Sequence, residues 1–174
     1  LFYQADGVIQ DIVRSRRLGN VYKRQIEKAA RDIVLGSSFD NNLPCTDEKE
    51  VIALDAITDL LKFEMVKNGA YELRDPALID KLVALVVNGR HAVTDWVGKD
   101  ASVILEAIGV LAPAGTRLII AEAPFEPPFV RVELMMPILA IVRAATLDQA
   151  MDWAAITEHG NRDTEAHDSQ QREQ

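Results

Sequence analysis

Apolar residues between positions 26 and 36 (IEKAARDIVLG) recur at helical spacing. Ile26, Ala29, Ala30, Ile33 and Val34 share one face, and Gly36 closes it. Residues 37–47 carry turn chemistry, and 50–54 read as a strand. The pattern predicts a helix over 56–68, with Ile57, Leu60, Leu61 and Met65 on one side and an Asn68-Gly69 stop. A short strand at 71–73 follows. Asp75-Pro76 then opens a helix, Asp75 as N-cap and Pro76 at its first position, running to about Asn88-Gly89. Beyond a loop holding Thr94 to Gly98, residues 101–108 read as a helix, 117–122 and 138–143 as strands, and Thr146 caps a last helix of about a dozen residues. Strands that alternate with helices predict an α/β fold: three layers, a mostly parallel sheet with helices on both faces.

Composition narrows the function classes. The chain has 174 residues, 48% hydrophobic and 26% charged, enough for one domain with a core. A net charge of −8 argues against nonspecific binding to nucleic acid or to an anionic membrane. No apolar run approaches the ~20 residues of a membrane span, and no secretory signal is present. One cysteine fits a reducing cytoplasm. Residues 1–25 are net positive, with Arg14, Arg16, Arg17, Lys23 and Arg24 against Asp6 and Asp11. VRSRRLGNVYKRQ within that stretch resembles the translated adapter read-through seen at the ends of metagenomic reading frames. Residues 1–25 are accordingly expected to be a non-native leader, 26–157 the domain, and 158–174, which lack Ile, Leu, Val, Met and aromatics, a polar disordered or corrupted tail.

The chemistry centres on Cys45, in Phe39-Asp40-Asn41-Asn42-Leu43-Pro44-Cys45. A lone thiol is either a small buried hydrophobe or a nucleophile. Asp47 and Glu48 would oppose its ionisation if they faced it. Three readings stay open at this level: a reactive nucleophile, a cysteine hydrolase or acyltransferase that pairs Cys45 with a histidine (His91, His159 or His167), and a noncatalytic interaction module with Cys45 in its core. No histidine or cysteine pair has zinc spacing, so no metal is expected. No Gly-x-Gly-x-x-Gly or phosphate-binding loop occurs. Glu133, in Val132-Glu133-Leu134-Met135-Met136-Pro137, reads from spacing alone as a solvent-facing acid.

Several separated motifs occur together in order: IEKAARDIVLGSSFDNNLPCTDEKEVIAL, WVGKDASVILEAIGV, PFV, ELMMPILAIVRA and EHGNR. They resemble the CoA-acylating acetaldehyde and propionaldehyde dehydrogenases of the aldehyde dehydrogenase superfamily, over roughly residues 26–165. FDNNLPC and ELMMPI are the most specific pieces. The resemblance implies that Cys45 is the catalytic nucleophile, that Asn41 and Asn42 shape the aldehyde pocket, and that Glu133, with Pro137, contacts the cofactor ribose. It implies NAD or NADP as cofactor, coenzyme A as co-substrate, a short-chain aldehyde as substrate and a homo-oligomeric, bacterial parent enzyme in the cytoplasm or a microcompartment lumen. It also implies a catalytic-domain fold truncated at both ends, since the family's cofactor domain would precede residue 26, and so an inactive isolated chain. Pro127, Ala140 and Asp163-Thr164-Glu165 depart from the residues common in that family.

Overall fold

A computed structural model describes residues 16–44, 47–125, 130 and 132–157. Cys45, Pro127, His159 and His167 lie outside the described residues. Helix α1 spans Arg16–Ser37, so its described part continues upstream of the apolar face that begins at Ile26. A 3-10 turn, Phe39–Asn42, leads towards strand β1, Glu50–Leu54. Then come α2, Asp55–Lys67; β2, Ala70–Leu73; and α3, Pro76–Val86. Two-residue strands β3, Val87–Asn88, and β4, His91–Ala92, form a hairpin. A 3-10 turn at Thr94–Trp96 precedes α4, Ala101–Ala107. Strands β5, Leu118–Glu122, and β6, Ile138–Ala144, follow, and residues 147–157 form α5.

The helix boundaries have local causes. Asp75 accepts a hydrogen bond from Ala77 N at 2.9 Å, with Pro76 at the first helical position. Asn68 closes α2: its backbone N–H donates to Met65 O at 3.0 Å and its side chain to Glu64 O at 2.7 Å. Gly69 then turns the chain at φ 102°. At α5, Gln149 N donates to Thr146 Oγ1 while Ala145 N donates to Gln149 Oε1, a reciprocal cap of the Thr-x-x-Gln type.

The sheet is parallel throughout, in the order β1-β6-β5-β2. Strand side chains alternate between faces. Leu118, Ile120, Leu139 and Ile141 therefore face one way, into a core with Ile26, Ala30 and Val34 of α1 and Leu61 and Met65 of α2. Ile119, Ala121, Ile138, Ala140 and Val142 face the other, against Leu82 and Val86 of α3 and Ile104 and Leu105 of α4. The expected three-layer α/β fold is what the chain forms. Central strands β5 and β6 are covered on both sides, which explains their unbroken apolar runs. Each fully buried Ile or Leu there contributes about 1.5–3 kcal/mol of transfer free energy.

One boundary differs from expectation. The helix opened by Asp75-Pro76 stops at Val86 instead of reaching Asn88-Gly89. Val87 and Asn88 are drawn into pairing with Ala92 and His91. Gly89 sits at φ 64° in the two-residue connection, a conformation that favours glycine and suits a tight hairpin.

Candidate active site

Residues 39–44 of the FDNNLPC motif and the ELMMP segment come together at one end of the sheet. One leads into β1 and the other into β6, and those strands are parallel neighbours. The amino ends of two adjacent strands thus carry both motifs.

The backbone of the first motif is unusual. Asp40 (φ 45°, ψ 40°), Asn41 (φ 55°, ψ 34°) and Asn42 (φ 61°) are all left-handed. Only Gly, Asn and Asp adopt that region at low cost, which is a physical reason for an Asp-Asn-Asn run just ahead of the cysteine. Such strain, of order 1–3 kcal/mol per residue in unfavourable cases, persists only where surroundings hold it in place.

What holds it is a set of side-chain hydrogen bonds. Asn41 Nδ2 donates to Gly98 O and to Asp100 Oδ1, both at 2.9 Å. Gly98 N in turn donates to Met135 O at 3.0 Å, and Met135 is itself left-handed at φ 53°. A Cβ at Gly98 would stand 3.4 Å from the Leu43 side chain and would meet the strain of φ 70°. The loop before β1, the loop before α4 and the loop before β6 are thereby joined in one chain of contacts. Asn42 is 1% exposed and donates from Nδ2 to Glu48 O at 3.0 Å. The Lys49 ammonium donates to Asn42 O (3.0 Å), Asn42 Oδ1 (2.6 Å) and Pro44 O (2.9 Å). Pro44 O also accepts from Asp47 N at 3.2 Å. Lys49 Nζ lies 3.8 Å from Glu133 Oε1, so one cation touches both motifs.

The sequence-derived residues are distributed as follows. Asn41, Asn42 and Glu133 belong to this cluster; Cys45 falls between its described residues 44 and 47. His91 sits exposed on β4. Lys49, Gly98 and Met135 fall inside the resembling motifs, but sequence reasoning assigned them no site role; their contacts bring them in. Glu133 is a 54% exposed carboxylate, so its oxygens are accessible to hydroxyl donors, as contact with a ribose requires. Among the described residues no group of three or more His, Cys, Asp or Glu side chains could hold a metal, and no helix is long and apolar enough to cross a membrane.

At the opposite end of the sheet lies a charged cleft of about 380 Å³, lined by Asp59, Lys62, Phe63, Glu72, Arg74 and Glu122. Arg143, on β6, pairs with Asp55 (2.7 Å), Asp59 (2.7 Å) and Glu122 (2.8 Å). Lys62 pairs with Glu122 at 2.7 Å and Glu72 at 3.1 Å. The Arg143 guanidinium, helped by Lys62, outweighs partial burial and holds Glu122 down to about 2. Burial alone would lower Lys62, but the carboxylates of Glu122 and Glu72 raise it. The network stitches β2, β5 and β6 to α2.

No family model matches the chain. Individual proteins do. Over 146 residues it is 40% identical to an acetaldehyde dehydrogenase (acetylating) of Bilophila wadsworthia, covering 78% of this chain and 30% of that protein. A propanal dehydrogenase (CoA-propanoylating) of Salmonella typhimurium is 40% identical over 134 residues, 76% of this chain and 29% of its own. Among solved structures, a propionaldehyde dehydrogenase of Rhodopseudomonas palustris with bound propionyl-CoA superposes with a TM-score of 0.75 at 52% identity, covering 79% of this chain and 30% of that one. A propionaldehyde dehydrogenase from a fucose-utilisation bacterial microcompartment of Clostridium phytofermentans gives 0.74 at 48% identity, covering 79% and 32%. The chain spans about 30% of the length of the curated relatives it matches. Over about 80% of its residues, in motifs, fold and identity, this chain is a homologue of the CoA-acylating acetaldehyde and propionaldehyde dehydrogenases.

Proposed function

We propose that this chain carries the nucleophile and the cofactor-side carboxylate of an NAD(P)-dependent CoA-acylating aldehyde dehydrogenase acting on a short-chain aldehyde. The observation that supports the reading is the convergence of the FDNNLPC and ELMMP loops on Lys49 at the amino ends of β1 and β6. In this reading the Cys45 thiolate adds to the aldehyde carbon, forming a C–S bond and a thiohemiacetal. Loss of hydride from that carbon leaves a thioester on Cys45. The coenzyme A thiol, giving up its proton, then attacks the thioester carbonyl carbon to form the C–S bond of acyl-CoA, and the Cys45 thiolate departs with the electrons of the broken C–S bond. The nicotinamide cofactor supplies the hydride acceptor when bound. Glu133 accepts hydrogen bonds from its ribose. Asn41 and Asn42 shape the aldehyde pocket by fixing the strained backbone, since their own amides are already engaged with Gly98, Asp100, Glu48 and Lys49.

The relatives' names support the same chemistry: one R. palustris structure carries bound CoA and an acylated cysteine, and an engineered glycolyl-CoA reductase carries NADP+. A cytoplasmic or microcompartment location and a homo-oligomeric assembly belong to this proposal, as does the absence of a metal. Because the chain spans about 30% of its relatives' length, we expect it alone to give no sustained NADH from NAD+, propionaldehyde and coenzyme A. The acyl-transfer half-reaction needs no hydride acceptor and is the sharper test. Incubation with propionyl-CoA is expected to leave one propionyl group on Cys45, absent in Cys45→Ala. An unmodified wild-type chain would count against the reading.

A further inference from the structure

Lys49 has no part in the reaction as derived from the motifs, yet it is the most connected side chain of the site. It is 19% exposed, and its three N–H donors meet three oxygens of the nucleophile loop: Asn42 O, Asn42 Oδ1 and Pro44 O, the carbonyl immediately before Cys45. A lysine ammonium has three donors and no acceptor, so these bonds saturate it. The Glu133 oxygen at 3.8 Å is therefore a charge contact rather than a fourth hydrogen bond. We propose that Lys49 is the positioning residue of the nucleophile: its ammonium clamps the left-handed Asp40–Asn42 backbone and holds the Pro44 carbonyl, which is covalently joined to the Cys45 nitrogen.

Two physical arguments support the assignment. First, three consecutive left-handed residues need an external restraint, and Lys49 holds the last of them through both its carbonyl and its side chain. A neutral aliphatic side chain in its place would leave three carbonyl-type oxygens without this donor. Second, the local charge is lopsided. Asp40, Asp47 and Glu48 belong to the same loop in sequence, Glu133 lies 3.8 Å from Lys49 Nζ, and Asp100 accepts from Asn41. Lys49 brings a cation to the loop through three hydrogen bonds, in a stretch of sequence with more acids than bases. A cation beside a thiol favours the thiolate, the form that attacks.

The inference rests on Cys45 being the nucleophile, and the test separates the two. Cys45 is the only cysteine, so alkylation by iodoacetamide reports on it alone. In the full 174-residue chain, Lys49→Met is expected to slow alkylation at neutral pH by about fivefold, the effect of a modest rise in thiol pKa on the thiolate fraction. Lys49→Arg keeps the charge but not three bonds from one nitrogen, and is expected to slow it about twofold. A merely structural lysine predicts the opposite sign, because a loosened loop exposes the thiol and speeds alkylation. An unchanged or faster rate in Lys49→Met overturns the proposal. Should that variant not fold, Lys49→Arg decides by the same sign. Whether wild-type Cys45 takes a propionyl group from propionyl-CoA is scored separately, so failure of the acyl-transfer reading leaves the alkylation result standing.

Discussion

The two ends of the sheet handle charge in opposite ways. At the carboxyl ends, Arg143 and Lys62 meet four carboxylates, and Arg74 adds a pair with Glu72 at 2.6 Å. At the amino ends, one lysine spends its hydrogen bonds on three carbonyl and amide oxygens and lies 3.8 Å from a single carboxylate, Glu133, and the backbone beside it is left-handed for three residues. The charged cleft at the carboxyl ends is the more conspicuous cavity, and in open α/β sheets that is the usual ligand position. Here its charges are spent on one another, which is what a staple between strands and α2 looks like. In the proposed function the amino ends, with their strained backbone, are the chemical end. Conspicuous charge and functional charge are different things in this fold.

Substitutions at each end break or sharpen that contrast. The largest effect is expected from Asn42→Ala, which removes a buried amide bonded to Glu48 O and Lys49 and leaves a Cβ-bearing residue at φ 61° without its local partner. It is expected to cost about 2–3 kcal/mol of stability by chemical denaturation and to slow acylation of Cys45. Arg143→Met at the other end is expected to cost about 1–2 kcal/mol after allowance for solvent screening. Acylation and alkylation of Cys45 should stay within about twofold of wild type there, because the paired network acts on packing and not on the thiol. A larger loss of Cys45 reactivity in Arg143→Met would erase the distinction between the two ends.

The smallest effect is a pH dependence. Glu122 is held at about 2, below the ordinary 4.5. A depressed carboxylate contributes stability that is present above about 4.5 and is lost as pH falls from there towards 2. Unfolding midpoints of wild type should fall through that window, with Glu72 and Asp59, also held low by their cationic partners, adding to the slope. Glu122→Gln should flatten it while leaving Cys45 reactivity unchanged. An equally steep loss in Glu122→Gln would move the acid sensitivity elsewhere in the fold.

Much of this architecture was legible because it is local. The unbroken apolar runs of β5 and β6 signal strands covered on both faces. Asp75-Pro76 and Asn68-Gly69 bracket helices by chemistry contained within a few residues. The β3–β4 hairpin was not legible: Val86 and Val87 continue the apolar rhythm of α3, and the strand pairing depends on residues three and five positions ahead. The motif around Cys45 was visible as a resemblance, but the reason for its Asp-Asn-Asn run lies in backbone angles that sequence spacing does not reveal. Lys49 was invisible as a site residue. Its role comes from three oxygens and Glu133, the latter delivered by a loop from the far side of the chain. Asn41 likewise depends on Gly98, fifty-seven positions away.

The central claim is that Cys45 carries an acyl group. The direct measurement is the intact mass of the chain after incubation with propionyl-CoA, with the modified residue located by peptide mapping. The account predicts one hydroxylamine-labile propionyl thioester on Cys45, absent in Cys45→Ala. A chain that stays unmodified, or one whose adduct survives in Cys45→Ala, would contradict it.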